Sequence, residues 1–254
     1  MRISTRRALS ALAVSGAVVL TAAACGGGTS GSHTSADAKT APSAAASSPA
    51  ADPFAGQTAH QIITAASAAM SSAHSMKVTG TMKESGSAMS LDLFMVKGVG
   101  CQGSIDMGSQ GGTTIVVLGT TAWEKLDQAT LAKAIGGAAA ASVSGKYFKT
   151  TTTAKDFADL QAFCDLDTFA QGLGSAGDDP FTKGAVTTVD GRPALTLIDT
   201  KDQSRALVSL TAPYRIVGAV GPGSDGSITI SYDLDTKITP PPASEVFDAS
   251  TYGL

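Results

Sequence analysis

The sequence predicts an α+β protein, in which about ten antiparallel strands and two or three helices form one domain. After Ser75, apolar and polar residues alternate in many short segments, and this is the period of a strand with one buried face. Separators such as Gly98–Gly100 and Asp190-Gly191 lie between these segments and favour tight antiparallel connections. A few longer stretches repeat apolar residues at helical spacing, so helices are expected to accompany the sheet.

The first 24 residues have the three parts of a secretion signal in their required order. Arg2, Arg6 and Arg7 give a positive start, and Ala8–Leu20 forms an apolar stretch without charge. The small residues at 21–24 then suit the cleft of a signal peptidase. The apolar stretch is shorter than the roughly 20 residues that a spanning helix needs.

Cys25 follows the small residues directly, which is typical of a bacterial lipoprotein. Its thiol would accept a diacylglyceryl group, and cleavage would leave Cys25 as the lipidated N-terminus. Ala22 stands where a larger aliphatic residue is usual, so a plain secretory signal and an uncleaved anchor remain as alternatives. Lipidation at Cys25 predicts a protein held at the outer face of the cell membrane, since at least two acyl chains give stable anchoring.

The charge of the chain argues against nucleic acid as a partner. Removal of the three leader arginines lowers the basic residues from 18 to 15 against 21 acidic residues, so the mature chain carries a net charge of −6. The sequence contains no basic run for a phosphate backbone or for anionic lipid. Attachment to the membrane would therefore depend on the lipid at Cys25.

The composition divides the chain into three segments. We expect a signal peptide over residues 1–24, a lipidated N-terminus and flexible tether over 25–53, and a folded domain over 54–254. The tether is rich in Gly, Ser, Ala and Pro and has too few apolar residues to form a core.

The folded domain is expected to begin with a helix and a strand meander. The helix covers Gln57–Ala73, and Thr58 can cap its N-terminus. Strands follow around Val78 and over Ala88–Lys97, Cys101–Gly108, Thr114–Gly119 and Thr121–Leu126.

Two further helices and a second group of strands are expected after the meander. One helix covers Gln128–Ala141, weakened by Gly136-Gly137, and the other follows a capping-box pattern at Thr153–Asp156 and runs to about Gly172. An extended segment at Gly145–Thr151 separates them, and a loop over Gly174–Pro180 follows. The remaining strands are expected over Gly184–Val189, Arg192–Thr200, Ala206–Thr211, Tyr214–Val220 and Ser227–Leu234.

Cys101 and Cys164 are the two cysteines beyond Cys25. An even number of cysteines in an exported protein predicts a disulfide, and this one would join a helix to the sheet. Two free buried thiols are the alternative. A metal site is not expected, because neither cysteine has a ligand-type neighbour at short spacing.

The sequence predicts neither a catalytic residue nor a cofactor. His33 lies in the tether, while His60 and His74 bracket the first helix. There is no Gly-x-Ser-x-Gly elbow, no His-Glu-x-x-His motif and no phosphate-binding loop. The neighbouring acidic residues Asp165 and Asp167 are interpreted as a solvated face or a cap. The chain is therefore not expected to be an enzyme.

The order of these segments resembles the LppX/LprAFG family of actinobacterial lipoproteins, which is related in fold to the LolA/LolB carriers. The resemblance covers roughly Phe54 to Asp248. The resemblance rests on the lipobox, which is the run of small residues 21–24 with Cys25, and on the tether. It also rests on four segments of the folded domain: Val189-Asp190-Gly191-Arg192-Pro193-Ala194, Pro213-Tyr214-Arg215-Ile216, Ile228–Leu234 and Ile238-Thr239-Pro240-Pro241.

The resemblance implies a curved antiparallel half-barrel with the helices on its concave side. It also implies a non-catalytic carrier that holds an acyl lipid or glycolipid between sheet and helices. The apolar strand residues that would line this cavity are Met82, Met89, Leu91, Leu93, Met95, Ile105, Met107, Ile115 and Val117. Methionine is adaptable and suits an irregular lipid-accepting surface.

Two other functions remain open from the residues themselves. An apolar strand face beneath a helix forms a filled core as readily as a cavity, so a tethered interaction or sensor module is the main alternative. The protein partner of such a module is not specified by the sequence. An extracytoplasmic enzyme is the third possibility.

Substitution Cys25→Ser tests the anchor. We expect the variant to appear in the medium or to keep its leader, because the acceptor of the diacylglyceryl group is lost. Membrane fractionation with intact-mass measurement reports both results. A variant that is still cleaved and retained at the membrane would overturn the lipobox interpretation.

Overall fold

A computed structural model of the chain describes residues 52–84, 87–174, 180–223 and 225–247. The predicted signal peptide, Cys25 and nearly all of the predicted tether lie outside the described residues, as does most of the predicted loop at Gly174–Pro180. No helix in the described part of the chain is both long and apolar enough to cross a membrane.

A single open sheet contains all twelve strands of the described residues. The strands are β1 Ser75–Glu84, β2 Ser87–Val96, β3 Gly100–Asp106, β4 Gly112–Leu118, β5 Thr121–Leu126, β6 Tyr147–Thr151, β7 Phe181–Val189, β8 Arg192–Asp199, β9 Arg205–Ser209, β10 Ile216–Val220, β11 Gly226–Tyr232 and β12 Val246–Phe247. They are ordered β12-β6-β5-β4-β3-β2-β1-β11-β10-β9-β8-β7. All neighbours are antiparallel except β12 and β6, which run parallel. Because β7 and β12 are the two edges, the sheet is not closed, and the predicted α+β half-barrel is confirmed.

The first helix, α1 (Ala59–Met70), has the predicted N-cap at Thr58 and begins two residues after the predicted start at Gln57. The Thr58 hydroxyl accepts a hydrogen bond from the Gln61 N–H at 3.2 Å, and the Gln61 side chain accepts one from the Thr58 N–H at 2.8 Å. This reciprocal capping box satisfies two N–H groups that a helix leaves unpaired. The helix ends at Met70, three residues before the predicted end, because extended structure begins at Ser75.

The other predicted helices are both divided, so the described residues contain five α-helices and not two or three. The Gln128–Ala141 prediction becomes α2 (Gln128–Ile135) and α3 (Gly137–Val143), because Gly136 between them has a φ of 84° that a helix cannot contain. The remaining two are α4 (Ala158–Gln161) and α5 (Leu166–Gly174).

The predicted helix after Thr153 is interrupted near Cys164. The Thr153 hydroxyl lies 3.1 Å from the Thr151 hydroxyl, and a short 3₁₀ turn at Lys155–Phe157 precedes α4. A new helix, α5, then starts after Asp165, whose carboxylate accepts a hydrogen bond from the Thr168 N–H at 2.7 Å. Hydrogen bonds from the Thr168 side chain and backbone lower the pKa of Asp165, which keeps this cap ionised.

Two hydrophobic clusters lie on opposite faces of the sheet. The larger one joins the inner face to α1 and α5 and includes Ile62, Met70, Leu93 and Leu166. The smaller one lies on the outer face, where buried Ile238 packs with a set made up of Phe94, Val116 and Tyr147. Ile238 belongs to residues 235–247, here called the C-terminal strap, which ends in β12.

Cys101 of β3 and Cys164 form a disulfide, as the sequence predicts, with their Cα atoms 4.9 Å apart. Cys164 lies in the turn between α4 and α5, so the bond joins the inner face of the sheet to the start of α5.

Replacement of both cysteines by serine should lower the free energy of unfolding by about 4 kcal/mol, because the bond closes a long loop in the unfolded chain. Denaturant unfolding of the Cys101→Ser/Cys164→Ser variant measures this loss. Thiol labelling of denatured, non-reduced wild-type protein is the control, and two reactive thiols there would contradict the disulfide.

Candidate functional site

Strand register places eight of the nine predicted ligand residues on the inner face. Met82 of β1 lies opposite Met89 of β2, and Leu91 lies opposite Ile105 of β3. The cross-strand pairs continue through β4, so the same face carries the following residues: Met82, Met89, Leu91, Leu93, Met95, Ile105, Ile115 and Val117. Met107 follows β3 directly.

On β1 and β2, the exposure of this face falls from the hairpin end to the opposite end. On β2, Met89 is partly exposed, Leu91 is 6% exposed, and Leu93 and Met95 are completely buried. On the neighbouring strand Ile105 is buried, whereas Met107 just beyond it is 38% exposed. The inner face is therefore accessible at the β1–β2 hairpin end and filled at the opposite end.

Met82, Met89 and Met107 form the accessible end, which we call the methionine rim. Met82 and Met89 are cross-strand partners and both pack against the main core. Asp106, the residue before Met107, pairs with Ser90, the residue after Met89. Met82 and Met89 therefore border the edge of the core, and the exposed Met107 follows the neighbouring strand. Their unbranched thioether side chains can adapt to different shapes.

The opposite end is held closed by covalent and polar contacts. Cys101, which carries the disulfide, pairs with Met95 and Val117. Lys97, just after β2, donates hydrogen bonds to the Ser71 carbonyl at 2.7 Å and to Asp167 at 2.8 Å. These contacts tie the end of α1 and the start of α5 to the same end of the sheet.

Arg215 provides a second link between α1 and the sheet. Its side chain is buried and donates to the Ala69 carbonyl and to the Ser72 hydroxyl, each at 3.0 Å. It also pairs with Asp233, and its guanidinium lies 5.0 Å from the centre of the Tyr232 ring. A buried guanidinium with its donors satisfied fixes the position of the helix end.

Asp233 and Tyr232 complete this network. Burial opposes ionisation of Asp233, but hydrogen bonds from Arg215 and the His74 N–H, with the charge of Arg215, outweigh it and lower the pKa of Asp233. Burial raises the pKa of Tyr232, whose hydroxyl donates to the Ile216 carbonyl. The network thus combines an ionised carboxylate with a neutral phenol.

Sequence reasoning missed the role of Arg215, Tyr232 and Asp233. Arg215 belongs to the Pro213-Tyr214-Arg215-Ile216 segment, which was considered only for its resemblance to a family. A single arginine beside an apolar strand was the available signal, because a cation there needs polar partners if it is buried. Its partners come from β11 and α1, which the sequence does not place.

A cleft of about 450 Å³ lies on the outer face of the sheet, between the strands and the C-terminal strap. Among the nine predicted ligand residues, Ile115 borders this cleft, and the methionine rim does not. The assignment of the nine residues to a lipid cavity stays a prediction.

Solved structures similar to this chain include two mycobacterial proteins and one pseudomonad complex. LprF from Mycobacterium bovis is 15% identical, with a TM-score of 0.46, and the match covers 72% of this chain and 96% of LprF. The lipoprotein LppX from Mycobacterium tuberculosis is 12% identical, with a TM-score of 0.42, and the match covers 71% and 98%. The MucA/MucB complex of Pseudomonas aeruginosa gives 11% identity, a TM-score of 0.36, and coverage of 70% and 58%.

No protein-family model and no curated protein sequence matches the chain. LprF and LppX carry the names of the family that the sequence resembles, and this similarity is one of fold. It concerns the fold alone, and these TM-scores, all below 0.5, carry no argument about activity or ligand.

Replacement Asp233→Asn tests the network that holds α1. Asn keeps the shape and tolerates the positive φ of 57° at this position but removes the charge. We expect the free energy of unfolding to fall by about 1 kcal/mol at pH 7. This is less than a buried hydrogen bond to a charged group contributes, because the Asp233 side chain is 41% exposed and is partly screened by solvent.

The loss should depend on pH. The pKa of Asp233 is lower in the folded chain, so the charge stabilises the fold above the unfolded value of about 3.9, and this contribution disappears as pH falls through the folded value. Chemical unfolding at a series of pH values from 7 downwards should show the difference between the Asn variant and wild type shrinking as the pH falls below about 3.9. Asp235→Asn, at an exposed neighbouring carboxylate, is the control, and an equal loss in both variants would contradict the prediction.

Proposed function

We propose that this protein is a lipid-anchored, extracytoplasmic carrier that binds an acyl lipid on the inner face of its half-barrel without catalysis. The observation that carries the proposal is the gradient of exposure from the methionine rim to the closed end. An apolar surface that starts at solvent and continues without interruption into the core is suited to an acyl chain.

The rim is the entrance in this proposal. An acyl chain would pass Met82 and Met89 and extend towards Leu91 and Ile105. Other apolar side chains that border the core and are only partly buried would contribute contact area: Leu160, Phe163, Phe169, Leu173, Phe181 and Leu210. Burial of each methylene group contributes about 0.8 kcal/mol, so a few methylenes would give measurable affinity.

Deeper entry requires the helices to move away from the sheet, because Leu93, Met95 and Ile115 are fully buried. The disulfide and the Lys97 and Arg215 contacts lie at the end away from the rim. Opening would therefore take place at the rim, with the Cys101–Cys164 end as the fixed point. The helices would separate from the sheet progressively, starting at the rim, and the sheet itself would stay folded.

The anchor would be the acylated Cys25, with the membrane as its partner and the outer face of the cell membrane as its location. The leader pattern and the negative net charge of the mature chain support this part of the proposal. Cys25 and its lipid would precede the folded domain in the chain. Anchoring and ligand binding would therefore be independent properties.

The completely buried inner residues favour a second candidate, a tethered interaction or sensor module with a filled core. In that case the methionine rim would close the core and no acyl lipid would enter. The two functions differ in one measurable property, which is whether acyl lipid accompanies the purified protein.

Native mass spectrometry of full-length protein purified from its own membrane tests this difference. We expect wild type to carry an acyl lipid in addition to the covalent one, and Met89→Asp to reduce that occupancy at least tenfold, because a carboxylate at the rim would have to be desolvated. A tenfold loss corresponds to about 1.4 kcal/mol.

Ser90→Asp is the matched control, because Ser90 is the next residue on the same strand and faces the opposite side. It should keep the wild-type lipid occupancy. Thermal unfolding of both variants checks that the fold is retained. A clean apo mass for wild type would overturn the carrier and favour the interaction module.

A further inference from the structure

The outer-face cleft is formed by the C-terminal strap lying across β1–β6. The strap is attached at several points: the Thr239 N–H donates to Gln102 at 3.3 Å, and Lys146 donates to the Ser244 carbonyl at 2.6 Å. Beyond these contacts Val246 pairs with Tyr147 in the short parallel bridge. Ile238 of the strap packs onto the outer cluster, and the space of about 450 Å³ left between the strap and the strands has the size of a small-ligand site.

The floor of the cleft is apolar. Phe94, Val116 and Tyr147 belong to the outer hydrophobic cluster, and all three border the cleft. Pro240–Pro242 supply a rigid wall opposite the sheet. A ligand here would need at least one apolar face to replace water on this surface.

The charged residues of the cleft disfavour an anion. Lys77 and Asp92 form an ion pair at 3.2 Å, which satisfies the ammonium group. Glu245 adds a carboxylate that has no side-chain partner within the described residues, so the lining carries a net charge of −1 from one cation and two carboxylates. The described residues also contain no cluster of three or more potential metal ligands, here or elsewhere.

The uncharged polar groups of the cleft can both donate and accept hydrogen bonds. The Gln102 side chain accepts from Thr239 through its oxygen, while its NH₂ group has no partner in the described part of the chain. The hydroxyls of Thr114, Thr236 and Thr239 likewise have no side-chain hydrogen bond among these residues. Hydroxyl and amide groups of this kind can both donate to and accept from the hydroxyls of a ligand.

We infer that the outer-face cleft binds a neutral, hydroxyl-rich ring compound, of which a sugar unit is the simplest example. A sugar ring has an apolar C–H face for the floor formed by Phe94 and Val116, and hydroxyls around its edge for Gln102, Thr114 and Glu245. This site lies on the opposite side of the sheet from the methionine rim, so the inference does not depend on acyl binding.

Isothermal calorimetry of the full-length protein with neutral methyl glycosides tests the inference. The probes are methyl glucoside, methyl mannoside, methyl galactoside and methyl arabinoside, in a detergent without a sugar headgroup. We expect at least one of them to bind saturably, and Thr114→Val and Gln102→Glu each to weaken it at least fivefold. The first variant removes a hydroxyl at constant shape, and the second replaces the amide donor while keeping the oxygen that holds the strap.

Thr196→Val is the matched control, because Thr196 is also a half-buried threonine on the outer face of a strand, β8, that does not border the cleft. It should bind the glycoside as wild type does. Met89→Asp should also leave glycoside binding unchanged, which separates this site from the acyl site.

Three results would overturn the inference. They are saturable binding of none of the four glycosides, equal affinities in wild type and in both cleft variants, and binding of inorganic phosphate in preference to every glycoside. Circular dichroism of each variant confirms that a loss of binding does not reflect unfolding.

Discussion

The inner face of the sheet needs a cover, and most of the architecture follows from that requirement. A single open sheet leaves a broad apolar surface in water unless another layer removes it. Here α1 and α5 provide that layer, and residues such as Ile62 of α1 and Leu93 of β2 become buried between the helices and the sheet. The outer face has a smaller apolar area, and the C-terminal strap is sufficient to cover it. The fold is therefore one sheet with two different covers, a helical one inside and an extended one outside.

The attachment of the inner cover is strongly asymmetric. The disulfide at Cys101, the hydrogen bonds of Lys97 and the buried guanidinium of Arg215 all act near one end of the sheet. At the β1–β2 hairpin end, Met82 and Met89 contribute apolar packing to the core. The polar contacts nearest this end are single ones, the Lys83–Asp225 ion pair at 3.4 Å and the hydrogen bond from Lys183 to the Phe54 carbonyl at 2.9 Å. Apolar packing has no directional requirement and can be replaced by another apolar surface, whereas a covalent bond and a buried charge cannot move without a large cost. In the proposed carrier, this difference would place ligand entry at the rim.

The two faces offer two kinds of chemistry. The inner face presents thioether and aliphatic groups. The outer cleft combines the apolar floor at Phe94 with the NH₂ group of Gln102 and the Thr114 hydroxyl, which have no hydrogen-bond partner in the described part of the chain. Because strand side chains alternate between faces, the neighbouring residues Met89 and Ser90 lie on opposite faces of the sheet. A sheet of this kind can therefore bind on both sides with little interference, since a substitution on one face leaves the other nearly unchanged.

The sequence by itself determined the α+β class, the Thr58 cap, the hairpin at Asp190-Gly191 and the identity of the inner-face residues, because each depends on local period or turn chemistry. It also predicted the Cys101–Cys164 bond from the count of cysteines and the export signal. It did not determine the break between α4 and α5, where the disulfide and the Asp165 cap override helical spacing. The Arg215–Asp233 network, the filled depth of the inner face and the cleft beneath the strap were decided only by tertiary structure. Their residues are far apart in the chain, and only the packing of strands and helices brings them together.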